Sequence, residues 1–280
     1  MSADGQLRFL EEVSPDALKA ALRERRASQC VKLLVAVVVF ALVIWSIDAT
    51  IVADTDWSRI GGLGAVLGTL GRFATLDLSL LPHLLQPTIE TFMMACIGTL
   101  LGCCFSLPVA WFGAYNVTPS RTLLFPLGRA LMTLSRSIHE IVWALVFVAA
   151  VGLGALPGIL AIAMRSVGFI SKITAEAIEN IDRKPVEAIR AVGGNQFQVM
   201  YYGILPQILP VVVGTIIFEW DINIRRSAIM GLVGAGGLGL TFFRQMAMFN
   251  YGGVTMVILA ILALVLLGEV VSHYLRKAIT

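Results

Sequence analysis

The stretch EAIRAVGGNQFQVMYYGILP, Glu187 to Pro206, is polar at its start, carries a glycine pair at its centre and closes on Leu-Pro. Gly193, Gly194 and Asn195 tolerate the positive φ that a tight reversal requires, so the stretch reads as two short helices hinged at Gly193. On the second helix Phe197, Met200, Tyr201 and Ile204 recur at i, i+3, i+4 and i+7, which predicts one apolar face. Arg183, Lys184, Glu187 and Arg190 place the segment outside lipid. An apolar face in that position needs a groove on a partner protein to bury it.

Outward from this loop the chain is strongly apolar. Its 280 residues are 58% hydrophobic and 14% charged, with a mean hydropathy of +0.85. A soluble domain has roughly half apolar and about a quarter charged residues, so this composition belongs in a bilayer. A spanning helix needs about 20 mainly apolar residues, because lipid offers the backbone no hydrogen-bond partner. Spans are expected at about 31–47, 88–114, 123–151, 157–178, 205–220 and 254–271. The expected fold is therefore all-α, a polytopic membrane protein with about six transmembrane helices. The third span is interrupted at Ser135, Arg136 and Ser137, where Ser137 and Glu140 have the spacing of a capping box and His139 orients the break.

Residues 1–30 read as an amphipathic cytoplasmic segment, with Ser14 as cap, Pro15 in the first turn and Lys19, Arg23, Arg25 and Arg26 further on. Residues 31–280 form the transmembrane domain, with the polar loop at about 179–206. The first span is read as a retained anchor, since charges precede it without the pattern of a cleaved leader. Between the first two spans Asp48, Asp54, Asp56, Arg59, Arg72 and Asp77 mark an external loop.

Six crossings put both termini, Arg121 and the Arg183, Lys184, Arg190 cluster on the cytoplasmic side, as the positive-inside rule asks. Arg225, Arg226 and Arg244 disagree with it. Either the fifth span continues past Trp220, or the segment re-enters the protein, and re-entry is the expected arrangement. An arginine at the bilayer centre costs about 2.5–3.5 kcal/mol on insertion scales and faces a cavity or a partner. Arg136, Arg165, Arg225 and Arg226 are such residues, with Glu140, Glu219 and Asp221 near enough in sequence to pair with them. A broken helix also directs free N–H groups towards Arg136, which favours an anion. Arg136, Glu140, Arg165, Arg225 and Arg226, with Gly234 and Gly236, are accordingly the candidate lining of a route for a small anionic solute, and structural pairing is the alternative.

Other chemistries lack their residues. The net charge of +3 is not gathered into a stripe that tracks nucleic acid. Cys96, Cys103 and Cys104 lie in an apolar run without ligand spacing, and His83, His139 and His273 have no second ligand at i+4, so no metal site is expected. Gly234, Gly236 and Gly239 spell G-x-G-x-x-G, but the first acid downstream is Glu269, far beyond a dinucleotide fold's spacing. No lysine follows a glycine, so a phosphate-binding P-loop is missing and no ATP hydrolysis is expected on this chain. No convergent titratable set suggests an enzyme, and no catalytic residue is assigned.

The loop resembles the EAA motif of ATP-binding-cassette import permeases, in which Glu-Ala-Ala is followed by three residues, glycine, nine residues and Ile-x-Leu-Pro. Glu187, Ala188, Gly193, Leu205 and Pro206 match, while Ile189 stands for the second alanine and Gly203 for the isoleucine. With SRSIHEIVWALVFVAAVGLGALPGILAIA from Ser135 and NIRRSAIMGLVGAGGLGL from Asn223, about 123–280 is similar to phosphonate-type permeases of the MetI-like fold. The resemblance implies a permease subunit for phosphonate, phosphate or phosphite, with methionine, another amino acid or a quaternary amine as alternatives. It implies that Glu187, Ala188, Gly193, Gly194, Phe197, Tyr201, Leu205 and Pro206 couple to a separate ATPase, which carries the ATP and Mg while this chain carries no cofactor. It further implies a substrate-binding protein, a second permease copy in a homodimer, and a bacterial cytoplasmic membrane with both termini inside.

Overall fold

The computed structural model describes residues 15–53 and 62–279. Ser14, Asp54, Asp56 and Arg59 lie outside the described residues. Among those described, every regular element is a helix. The chain divides between Gly68 and Thr69 into two compact units.

The first unit contains α1, Pro15–Ile47, which continues as a π-helical turn over Asp48–Val52. α1 runs without interruption through residue 30, where the sequence suggests a boundary. From Val31 to Ile47 its large apolar side chains are exposed, as a lipid-facing span presents them. α2, Gly62–Phe73, begins in this unit and ends in the next.

The second unit holds α3, Leu81–Gly113; α4, Leu124–Ser137; α5, Glu140–Val151; and α6, Ala155–Glu179. α7, Arg183–Ala191, α8, Leu205–Met230, α9, Gly237–Ala247, and α10, Tyr251–Ile279, complete it. Among the described residues, five stretches are long and apolar enough to cross a membrane, and α4 with α5, bent by 94°, count as a sixth if the pair is one span.

Small residues set the centre of this unit. A Cβ on Gly98 would stand 2.7 Å from Ile162 Cγ2, and one on Gly102 would stand 2.5 Å from Ser166 Cβ, so α3 and α6 approach to backbone contact. Lipid gives no hydrophobic drive between helices, and such close packing with interhelical hydrogen bonds takes its place.

The structure changes two expectations about local geometry. Ser137 does not cap α5: its hydroxyl donates back to Thr133 O, and His139 is the cap, with Nδ1 accepting from Ile141 N at 3.3 Å. A serine that back-bonds into the preceding turn is unavailable to the next helix.

The re-entrant arrangement from Arg225 is also corrected, because α8 continues through Arg225 and Arg226 to Met230. Arg226 is paired inside the bundle and Arg225, which is exposed, pairs with Asp221 one turn back, so both lower hydropathy without ending the helix. A 3-10 turn over Gly231–Val233 and a left-handed Gly234 at φ +85° then lead into α9. Asn250, just past α9, donates to Asp77 Oδ2 at 3.1 Å, so the path from α8 leads on to the segment that opens α3.

Candidate functional site

The polar loop is built from local signals. α7 starts on Asp182, whose carboxylate accepts from Lys184 N at 3.0 Å, an N-cap bond. It ends before Gly193, whose φ of +84° belongs to the left-handed region that glycine occupies without strain. At Gly194 a Cβ would lie 2.6 Å from Ile189 Cγ2 and 2.7 Å from Ile189 O, so that position must also be glycine for the chain to fold back on α7. Asn195 and Gln198 then form a reciprocal capping box, with Asn195 Oδ1 accepting from Gln198 N at 2.9 Å and Gln198 Oε1 accepting from Asn195 N at 2.8 Å.

The segment beyond this box is not a second short α-helix. One turn, Gln196–Gln198, passes into a π-helix over Val199–Ile204 that runs directly into α8, with Leu205 N donating to Met200 O. The wider turn breaks the predicted i, i+3, i+4, i+7 face. Val199 and Ile204 are buried, whereas Phe197 at 78%, Tyr201 at 60% and Tyr202 at 67% are exposed together with Val192. The unburied face is thus aromatic and rests on Phe197 and the two tyrosines, and Met200 and Ile204 are not part of it. π-turns inside α-helices are frequent at functional sites.

Two contacts hold the loop rigid. Gln207 Oε1 accepts from Asp182 N at 2.9 Å, while its Nε2 donates to Asp182 O and to Gly203 O at 2.6 Å. A Cβ on Gly203 would stand 3.2 Å from Ile189 Cδ1. Glu187 and Ala188 are exposed on α7, and Leu205 and Pro206 begin α8.

Within the bundle lies a buried polar network. Arg226 Nη1 donates to Glu219 Oε1 at 2.6 Å and to Asn223 Oδ1 at 3.0 Å, and its Nε lies 3.5 Å from Glu140 Oε1. Glu219 is fully buried and also accepts from Ser166 Oγ at 3.1 Å. Asn223 Nδ2 donates to Thr99 Oγ1 and Ser166 Oγ at 2.9 and 2.8 Å. Arg165 lies 3.8 Å from Glu140 Oε2 and donates to Arg136 O at 3.2 Å. Arg165 and Arg226 therefore balance Glu140 and Glu219, and every member is held by at least one other. Thr99, Ser166 and Asn223 escaped the sequence reading, since they come from three helices whose register against one another no spacing rule records.

The seven candidate path residues do not form one lining. Glu140, Arg165 and Arg226 meet in this network, and Arg136 joins it through its carbonyl alone. Arg225 points elsewhere and pairs with Asp221 at 3.0 Å. Gly234 and Gly236 border a separate cleft of about 560 Å³ with Glu90, Leu153 and Arg244. There Glu90 Oε2 accepts from Gly237 N at 3.0 Å and Thr91 Oγ1 accepts from Leu238 N at 2.8 Å, so α3 caps α9 with a carboxylate at its positive end. The separation has a simple cause: residues adjacent along a helix such as Arg225 and Arg226 point about 100° apart.

Known proteins resemble this chain in sequence and, separately, in fold. Residues 106–280 match the family described as binding-protein-dependent transport system inner membrane component. The chain is 40% identical over 218 residues to the phosphite transport system permease protein PtxC of Stutzerimonas stutzeri, covering 78% of this chain and 79% of that protein. It is 36% identical over 188 residues to the phosphate-import permease protein PhnE of Mycolicibacterium smegmatis, covering 67% of this chain but 35% of that longer protein. In fold it is similar to the inward-facing MetNI methionine ABC transporter, with a TM-score of 0.64 and 23% identity over 73% of this chain and 100% of that one.

Proposed function

Because the chain belongs to the binding-protein-dependent transport system inner membrane components, it is an ABC importer permease and not an enzyme, and we propose that its solute is a phosphorus oxyanion such as phosphite, phosphate or phosphonate. The relatives named for phosphite and phosphate, at 40% and 36% identity, support that solute class. Methionine is favoured less, since likeness to the methionine transporter at 23% identity speaks for the fold alone.

The observation that carries the coupling role is the exposed aromatic face of the loop. Phe197, Tyr201 and Tyr202 stand out from a segment braced by Gln207, an arrangement suited to insertion into a groove of a separate ATPase. Glu187, Ala188, Gly193, Gly194, Leu205 and Pro206 shape this element, and ATP with Mg belongs to the partner. Alternating access needs two halves, so a homodimer with two ATPases and an external binding protein is the assembly in this reading. Its loop and both termini face the cytoplasm.

Arg165, Arg226, Glu140 and Glu219 act in this reading as a latch beside the route, because each charge already has a partner. Co-purification tests the core of the proposal. An ATPase that stays with the wild-type permease and is lost on Glu187→Ala or Gly193→Val supports it, and nucleotide-independent uptake by the purified permease refutes it.

A further inference from the structure

One basic cleft remains outside the latch. Arg129, Met132, Thr133, Arg136 and Ser137 from one face of α4 meet Lys172 of α6 around a cavity of about 430 Å³. Its three cations differ in how firmly they are held. Arg129 is fixed: its Nη2 donates to Glu179 Oε1 at 2.7 Å, and that same oxygen accepts from Tyr115 N at 2.8 Å. Arg129 Nε is buried without a hydrogen bond. Among the described residues Lys172 pairs only with Glu176 one turn along α6, at 3.6 Å with both side chains nearly half exposed, and such a pair contributes little. Among the described residues, no carboxylate lies within ion-pair distance of the Arg136 guanidinium.

The stem of Arg136 is nevertheless well placed. A Cβ on Gly168 would stand 2.7 Å from Arg136 Cγ and 2.6 Å from Ser135 Oγ, so the glycine lets α4 lie against α6. Gly168 N donates to Ser135 Oγ at 3.0 Å, and Ser135 in turn donates to Met164 O. The Arg136 carbonyl is held by Arg165 of the latch. Thr133 and Ser137 spend their hydroxyl protons on backbone carbonyls of α4, so the donors available to a ligand are cationic.

We infer that this cleft is a binding station for a tetrahedral phosphorus oxyanion, with Arg136 as its principal ligand, Lys172 recruited from Glu176, and Arg129 as a fixed wall. The inference rests on the importer reading and adds a place where the permease itself holds solute. A free guanidinium presents a planar fork that suits a phosphorus oxyanion, while a lysine released from a weak pair adds a point charge. Glu176 and Glu179 sit in the last turns of α6, directly ahead of the polar loop, and Asn116 Nδ2 donates to Ile178 O and Glu179 O at 3.1 Å. Movement of the loop is thereby transmitted to the end of α6, where Glu179 holds the Arg129 wall and Glu176 competes with the anion for Lys172.

The test uses the detergent-purified permease with its ATPase and without a binding protein, titrated with radiolabelled inorganic phosphate and with methylphosphonate. Saturable binding is expected in the wild type, weakened about tenfold or more in Arg136→Gln, in line with the loss of a charge-assisted bond, and only partly recovered in Arg136→Lys, which restores the charge without the fork. Lys172→Gln, away from the Gly168 contact, should weaken binding severalfold, and Lys277→Gln at the far terminus should leave it unchanged. Absence of saturable binding while the ATPase still co-purifies, or unaltered binding in Arg136→Gln with Lys172→Gln, overturns the station and leaves the importer reading intact. Loss of the ATPase from the wild type would instead strike that reading. Nanodiscs with and without phosphatidylglycerol separate the two sources of the ligand. Retention of that lipid by the wild type and not by Arg136→Gln, without phosphate binding, assigns the cleft to a headgroup and overturns the solute station.

Discussion

Ile189 Cδ1 lies 3.2 Å from the point where a Cβ on Gly203 would sit, and Val186 Cγ2 lies at 3.3 Å from the same point. Ile189 and Gly203 are the two positions where the loop departs from the EAA pattern, so one departure accommodates the other: α7 gains a larger side chain where the π-helix gives one up. Gly203→Ile should overpack this contact and destabilise the loop by about 1–3 kcal/mol. Ile189→Ala alone leaves a void, and the double variant restores the volume, so its effect should be smaller than the sum of the singles. Thermal denaturation and ATPase retention of the single and double variants measure this, and strict additivity would refute the compensation.

The Arg226–Glu219 pair yields a second expectation. Glu219 is fully buried and its Oε2 has no hydrogen bond, so its charge depends on Arg226 at 2.6 Å. Removing one partner of a buried pair costs about 3–5 kcal/mol, because the other charge is left uncompensated. Arg226→Met should therefore lower the melting temperature sharply, and adding Glu219→Gln should recover much of the loss. Equal instability of the single and double variants would show that the charge balance is not what the network supplies.

Much of this architecture is legible in the amino-acid order, and the exceptions share a cause. The loop is readable because Asp182, Gly193 and the Asn195/Gln198 box act on their own neighbours. The apolar face differs from expectation at Met200 and Ile204 because a π-turn keeps the composition of an α-turn while rotating the residues beyond it. Likewise hydropathy ends the fifth span at Trp220, since it scores Arg225 and Arg226 as solvated charges although Asp221, Glu219 and Glu140 neutralise them. The grouping of Arg136 with Lys172 depends on Gly168 bringing two helices together, which no local pattern encodes.

Glycine positions offer a third prediction through contrast. Gly98 of α3 faces Ile162, where a Cβ would stand at 2.7 Å, whereas a Cβ on Gly214 of α8 would meet nothing within 4 Å. Gly98→Leu should push α3 off α6 and leave little monodisperse protein after extraction. Gly214→Ala should be neutral or stabilising by up to about 1 kcal/mol, since alanine is the better helix former. Size-exclusion profiles and melting curves of the two variants decide this, and a well-behaved Gly98→Leu protein would contradict the close helix contact.

Gln207 is the last residue whose loss has a defined signature. Its side chain closes the loop by three hydrogen bonds, two to Asp182 at the start of α7 and one to Gly203 in the π-helix. The exposed face of Phe197, Tyr201 and Tyr202 is made by other residues, so Gln207→Ala leaves the docking surface present and frees α7 to move against α8. A motor pushing on a loosened socket dissipates its displacement before it reaches the bundle. Gln207→Ala is thus expected to keep its ATPase through purification while losing severalfold in solute-dependent stimulation of ATP hydrolysis. Gln207→Glu retains the acceptor for Asp182 N but not the two donated bonds, and should fall between wild type and Gln207→Ala. Measured in proteoliposomes containing the binding protein, full stimulation in Gln207→Ala would mean that the brace between α7 and α8 plays no part in coupling.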